Sequence, residues 1–288
     1  MTGTRIALAL IALLLLAAGA LTACSPLTVI NALSPAGDTH ATRAVSYGPG
    51  QRNRLDIYLP KRIDGSAPVL VFYYGGNWVS GERADYAFVG RALAARGIIV
   101  VIPDYRLYPE VSYPTLLDDP ALALAWTVRE IARFGGDTKR LFAMGHSAGG
   151  YNAAMLALDA RRLAGFGLTP AVLRGWIGLA GPYDFLPVEN PTARPVFHFP
   201  DTPPDSQPIN HVSASAPPAL LIAPVRDSLV NPQRNTGGLA RKLREHGVAV
   251  SEHYYDGVSH TTLIAAFSPP LRQLAPVLDT VADFITKK

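Results

Sequence analysis

Five short runs in which nearly every position is apolar punctuate the chain: "PVLVFYY" (68–74), "IIVVI" (98–102), "RLFAM" (140–144), "GWIGLA" (175–180) and "PALLIAPV" (218–225). Runs this short and this uniformly apolar suit strands buried on both faces, as in a parallel sheet. Helical spacing separates them. Leu117, Ala121, Leu124, Val128 and Ile131 recur at three- and four-residue steps, and Leu239 and Leu243 precede Gly247, placed as a helix stop. "NRLDIYLP" (53–60) alternates apolar and polar positions, which predicts an edge strand with one wet face, and "VSEHYY" alternates in the same way. Strands alternating with helices predict an α/β fold with a mostly parallel central sheet and helices on both faces. Residues 183–216 break the rhythm with a proline-rich, aromatic insertion, expected to be a lid or pocket wall, or else disordered.

The first residues follow a different pattern. Arg5 precedes an uninterrupted apolar stretch from Ile6 to Ala20, then small residues, the layout of a secretory signal and short for a spanning helix. The chain's single cysteine, Cys24, follows Leu21-Thr22-Ala23. That quartet resembles a bacterial lipobox, which implies lipidation of Cys24, export, and attachment to the membrane through the N-terminal lipid. Ser25 at the next position points to the outer membrane in a cell that has two. The organisation expected is a lipoprotein signal peptide at 1–23, a tether at 24–42 and one domain at 43–288. The net charge of +4 is spread along the chain without a dense basic cluster, which argues against nucleic acid as a partner.

The candidate chemistry centres on "LFAMGHSAGGYNAAML" (141–156), where Gly145-His146-Ser147-Ala148-Gly149 fits G-x-S-x-G between an apolar strand and a helix. In that context the serine occupies a tight turn whose neighbours must be small, and its hydroxyl stands exposed at a helix N-terminus. A serine hydroxyl needs a base and a group that orients the base. His260, in the loop "YDGVSHTTL", is favoured over His253, which falls inside a strand pattern. Asp227 in "LLIAPVRDSLVNP", just past a strand's C-terminal end, is favoured as the acid over Asp184 and Asp256. Tyr74-Gly75-Gly76-Asn77-Trp78 follows a strand, and the amides of Gly75, Gly76 and Ala148 are the candidate oxyanion donors. Tyr74, Asn77 and Trp78 are the candidates for a substrate pocket. The histidines are dispersed, so no metal ligand set or cofactor is expected.

Over roughly residues 50–285 the chain resembles the hormone-sensitive-lipase-like carboxylesterases and the related feruloyl and acetyl-xylan esterases and kynurenine formamidases. The resemblance is carried by "YYGGNWVSGER", "VIPDYRLYPEVSYPTLLDDPALALAW", "GGDTKRLFAMGHSAGG", "APVRDSLVNP" and "GVSHTTL". It implies an α/β-hydrolase fold, Ser147 as nucleophile, Asp227 as acid, His260 as base, and oxyanion amides on Gly75, Gly76 and Ala148. Tyr74 stands where the family's HGG signature has histidine, and Asn77 replaces the third glycine of the lipase-like version, so the stretch matches the HGGxW form. The activity implied is a serine carboxylesterase acting on a small-molecule ester through an acyl-enzyme. Alternatives are an arylformamidase on the same residues and a non-catalytic binding lipoprotein.

Overall fold

A computed structural model describes residues 26–287, so the leader and Cys24 lie outside the described residues. The chain begins with α1 (Pro26–Ala32), followed by β1 (His40–Ser46), β2 (Arg54–Leu59), β3 (Ala67–Tyr73), α2 (Ala87–Ala94), β4 (Ile99–Pro103), α3 (Asp118–Glu130) and β5 (Gly136–His146). There follow α4 (Ala148–Leu158), α5 (Arg161–Ala164), β6 (Gly175–Leu179), β7 (Ala219–Pro224), α6 (Gly238–Glu245), β8 (Val250–Tyr255), α7 (His260–Ala265) and α8 (Val277–Thr286). The eight strands form one sheet in the order β1-β2-β4-β3-β5-β6-β7-β8. Pairing from β4 through β8 is parallel, while β2 runs antiparallel to both of its neighbours.

Strand alternation splits the core in two. Leu70 and Phe72 of β3, with Phe142 and Met144 of β5, pack under α2, α7 and α8. Val69, Val71 and Tyr73, with Leu141 and Ala143, pack under α3, α4 and α6. Burial on both faces is why these strands read as continuous apolar runs. Helix α4 is buried along its whole length. Ala153, Ala154 and Ala157 meet the sheet, while Tyr151 and Met155 meet Trp78, Val196 and Phe197. The 183–216 insertion is therefore a packed second cover over α4, built from short 3₁₀ turns.

Two sequence expectations fail here. Strand β2 is interior, because the Asp56 carboxylate that reads as a wet face is buried and paired with Arg83 (2.8 Å) and Arg43 (3.2 Å). The sheet edge on this side is β1, whose strand starts within the expected tether, and the other edge is β8. Nor does the stretch before it hang free. Asn31 Nδ2 donates to the carbonyls of Ala84 (3.0 Å) and Asp85 (2.8 Å), and its Oδ1 accepts from the Phe88 amide (2.9 Å).

Candidate active site

Ser147 sits between β5 and α4 with φ 55° and ψ −123°, a conformation that an L-residue adopts only where packing holds it. The neighbours permit the turn by lacking side chains. A Cβ on Gly145 would overlap the Gly149 carbonyl, and one on Gly149 would overlap the backbone of Tyr73. The Ser147 amide donates to Leu179 O (2.9 Å), which pins the turn to β6.

The structure brings His260 and Asp227 to this serine. His260 Nε2 lies 2.8 Å from Ser147 Oγ, and its Nδ1 lies 2.7 Å from Asp227 Oδ2. The other Asp227 oxygen accepts the amides of Leu229 (2.8 Å) and Val230 (3.0 Å). Burial would raise the Asp227 carboxyl, but its bond to His260 and these two amides outweigh it and hold the group below the usual carboxylate range. His253 and Asp256, the competitors in sequence, are exposed, with His253 stacked on Tyr255. Asp184 pairs with Arg234 (3.0 Å) on the cavity wall.

His260 does not ride on a mobile loop. It opens α7, whose N-cap Ser259 and Thr262 exchange hydrogen bonds in a capping box. Its carbonyl also meets Nε2 of the buried His146 at 2.8 Å. The sequence places His146 inside the pentapeptide without a role; here it ties the strand carrying Ser147 to the helix carrying His260. Burial first, and the neighbouring His260 second, push His146 down to about 3 from an ordinary 6.5. The unfolded chain therefore takes up a proton below pH 6.5 that the folded chain refuses. Stability from this group is complete above that pH and declines as the pH falls. Between pH 6.5 and 5, where most carboxylates stay ionised, the loss should reach up to about 2 kcal/mol. His146→Gln should flatten that dependence in denaturant melts; an unchanged slope would exclude His146 as its source.

The loop after β3 faces the serine. Gly76, at φ 128°, could not carry a Cβ without overlapping Ser80 O. A Cβ on Gly75 would crowd Ser147 Cβ at 3.0 Å, so a larger residue there would push the loop and the serine apart. Gly75, Gly76 and Ala148, the candidate oxyanion donors, all border the cavity.

Tyr74 is not a pocket residue. Its ring is buried between those of Tyr86 and Tyr105, stacked on both. Its hydroxyl donates to Asp104 Oδ1 (3.0 Å) and accepts from Arg52 Nη2 (2.9 Å). Burial and the Asp104 charge push the phenol far up, so it remains a donor. Arg52 also reaches Gly81 O (2.7 Å), so the tyrosine clasps both ends of the loop where the family uses histidine. Tyr74→Phe should cost about 1–3 kcal/mol in unfolding free energy, since Asp104 and Arg52 both lose a buried partner. An unaltered melt would show that this bond contributes nothing.

Asn77 and Trp78 do line the cavity, which occupies about 530 Å³, within the range of small-molecule sites. Asn77 Oδ1 accepts from Asn190 Nδ2 (2.9 Å), joining the loop to the insertion. Trp78 packs edge-on against Tyr151 and Phe197 and donates to Asn152 (3.2 Å). The far wall includes Phe185, Val188 and Ala193 of the insertion. Among the described residues no group of His, Cys, Asp or Glu is arranged to hold a metal ion.

Comparison with known proteins agrees with this architecture. The BD-FAE family model matches residues 55–243. A protein of Arabidopsis thaliana, probable isoprenylcysteine alpha-carbonyl methylesterase ICMEL1, is 29% identical over 246 residues, covering 78% of this chain and 52% of its own. The probable carboxylic ester hydrolase LipM of Mycobacterium tuberculosis is 33% identical over 221 residues, covering 70% and 51%. The chain thus spans about half the length of these relatives. A structure of esterase B from Lactobacillus rhamnosis, inhibited by a tributyrin phosphonate, superposes with a TM-score of 0.75 at 19% identity and covers 94% of each chain. That likeness is one of fold, the α/β-hydrolase arrangement of a mostly parallel sheet with helices on both sides. With the family model reaching across more than half of its length, the chain belongs to the BD-FAE family.

Proposed function

We propose that the protein is a serine carboxylesterase that cleaves a carboxylic ester through an acyl-enzyme. The observation that carries this reading is the continuous hydrogen-bonded line from Asp227 through His260 to Ser147, opening on a cavity bordered by Gly76 and Ala148. Ser147 Oγ attacks the ester carbonyl while His260 Nε2 takes its proton. The amides of Gly75, Gly76 and Ala148 stabilise the oxyanion, worth about 3 kcal/mol for one such donor. The tetrahedral intermediate collapses as His260 passes the proton to the leaving alcohol. A water deprotonated by His260 then attacks the acyl-enzyme, releasing the acid and restoring the serine. Asp227 keeps the Nδ1 proton in place and stabilises the imidazolium. Export and acylation of Cys24 belong to the same proposal, supported by Arg5, the apolar stretch and the Leu21–Cys24 quartet.

A fluorophosphonate should label Ser147 stoichiometrically, and a panel of p-nitrophenyl, feruloyl and acetyl-sugar esters should show turnover. No labelling and no ester turnover in the folded protein would sink the proposal. Turnover of N-formylkynurenine above every ester would move it to an amidase on the same residues.

A further inference from the structure

The cavity that holds Ser147 is closed on one side by the N-terminal segment itself. Leu27 of α1 lines it, beside Asp85, Tyr86 and Thr261. Helix α1 is clamped in that position. Besides the Asn31 bonds to the Ala84, Asp85 and Phe88 backbone, Arg91 Nη1 donates to the carbonyls of Asn31 (3.1 Å) and Ser34 (2.5 Å). The chain therefore enters the fold at the rim of the site. Cys24 lies three residues before Leu27, a distance that extended chain spans in about 11 Å at most. With acyl chains on Cys24 the membrane-inserting group starts within that reach, whereas a retained apolar stretch would end at Ala20, seven residues before Leu27 and within about 25 Å of it.

One exposed apolar side chain borders the cavity and another follows α1. Leu229 lines the cavity yet is 66% exposed, and Leu33, just past α1, is 56% exposed. Of the large hydrophobic residues among those described, these two are the most exposed. A water-facing leucine at the mouth of a site whose rim is joined to a short leash is a feature of a surface that rests on lipid.

We infer that the mouth of the Ser147 cavity lies against the bilayer and that the substrate is an ester carried by a membrane-resident amphiphile. This rests on the esterase reading above and adds the substrate's location. A leash this short and a clamped helix hold the site at the headgroup level, so bilayer esters meet it at high effective concentration.

The test uses the full chain, processed with its leader and reconstituted in phosphatidylcholine vesicles. A flexible Gly/Ser spacer of about 20 residues, inserted between Ser25 and Pro26, lengthens the leash to roughly 25 Å on average. Hydrolysis of p-nitrophenyl acetate in solution should be unchanged, while hydrolysis of p-nitrophenyl palmitate dissolved in the vesicles should fall at least about fivefold. An unchanged palmitate rate overturns the inference. A second measurement needs no activity. With Cys24 acylated, Leu229→Cys supplies a single free thiol for an environment-sensitive dye, and Ser66→Cys supplies one just before β3, at the N-terminal end of the parallel strands and away from the site. A bromolipid should quench the dye at 229 and spare the dye at 66. Equal behaviour at the two sites, or recovery of the protein free in the aqueous phase, overturns the inference. Absence of acetate hydrolysis would overturn the esterase reading instead, and the dye measurement would still decide where the mouth lies.

Discussion

Ser147→Ala should lower kcat on a short p-nitrophenyl ester by about 10⁶-fold while leaving the protein folded. The expected size follows from the geometry. The Ser147 hydroxyl bonds to His260 Nε2 at 2.8 Å, so its removal strips the nucleophile, and the partner it leaves, His260, borders the cavity. Alanine carries the same Cβ into φ 55° and ψ −123°, so the backbone cost is unchanged and unfolding free energy should stay within about 1 kcal/mol. Ser147→Gly should be no less stable than the alanine variant, since glycine meets no steric objection at that angle. Steady-state kinetics with a denaturant melt on the same preparations checks both statements. Retention of more than a few per cent of the activity by a well-folded Ser147→Ala protein would remove the serine from the mechanism.

Asp227→Asn should lower kcat by about 10⁴-fold with little change in KM. Asparagine can still accept the Leu229 and Val230 amides through one oxygen, so the loop keeps its shape. Its amide nitrogen, however, would face His260 Nδ1 at the position now held by a carboxylate oxygen at 2.7 Å. The imidazole would then carry its proton on Nε2, pointing at the serine, and could not accept the serine's proton. A rise in KM with kcat intact would mean instead that Asp227 shapes the cavity and does not act through His260.

The parts of this arrangement that were legible in sequence are those where one chemical demand leaves few residue types. Strands β3 to β7 announce themselves because burial on both faces excludes polar side chains, and the turn at Ser147 because positions 145 and 149 admit nothing larger than glycine. What escaped depends on partners distant in sequence. Asp56 looks solvent-facing until Arg83, 27 residues on, neutralises it in the interior, so β2 was read as an edge. The true edge on that side, β1, has a sequence that is almost wholly exposed and carries no alternation to read. Tyr74 departs from the family pattern, and only Arg52 and Asp104 reveal that its hydroxyl braces the loop. Leu27 fell in a stretch whose prolines and polar residues suggested a free tether; its contact with the cavity depends on Asn31 finding three backbone groups around residues 84–88. The Ser259–Thr262 capping box was a local signal and could have been seen, since it needs only hydroxyls three residues apart.

Helix α4 is enclosed along its whole length, with the sheet beneath it and the insertion above, and it begins at the residue after Ser147. Substrate preference and foldability are consequently written into the same side chains. Widening the cavity by trimming Trp78 or Phe185 also loosens the roof over this helix, and tightening the roof narrows what the cavity admits. Variants that broaden the range of esters accepted are therefore expected to arise first in backgrounds with stability to spare, and to tolerate heat less well than their parents.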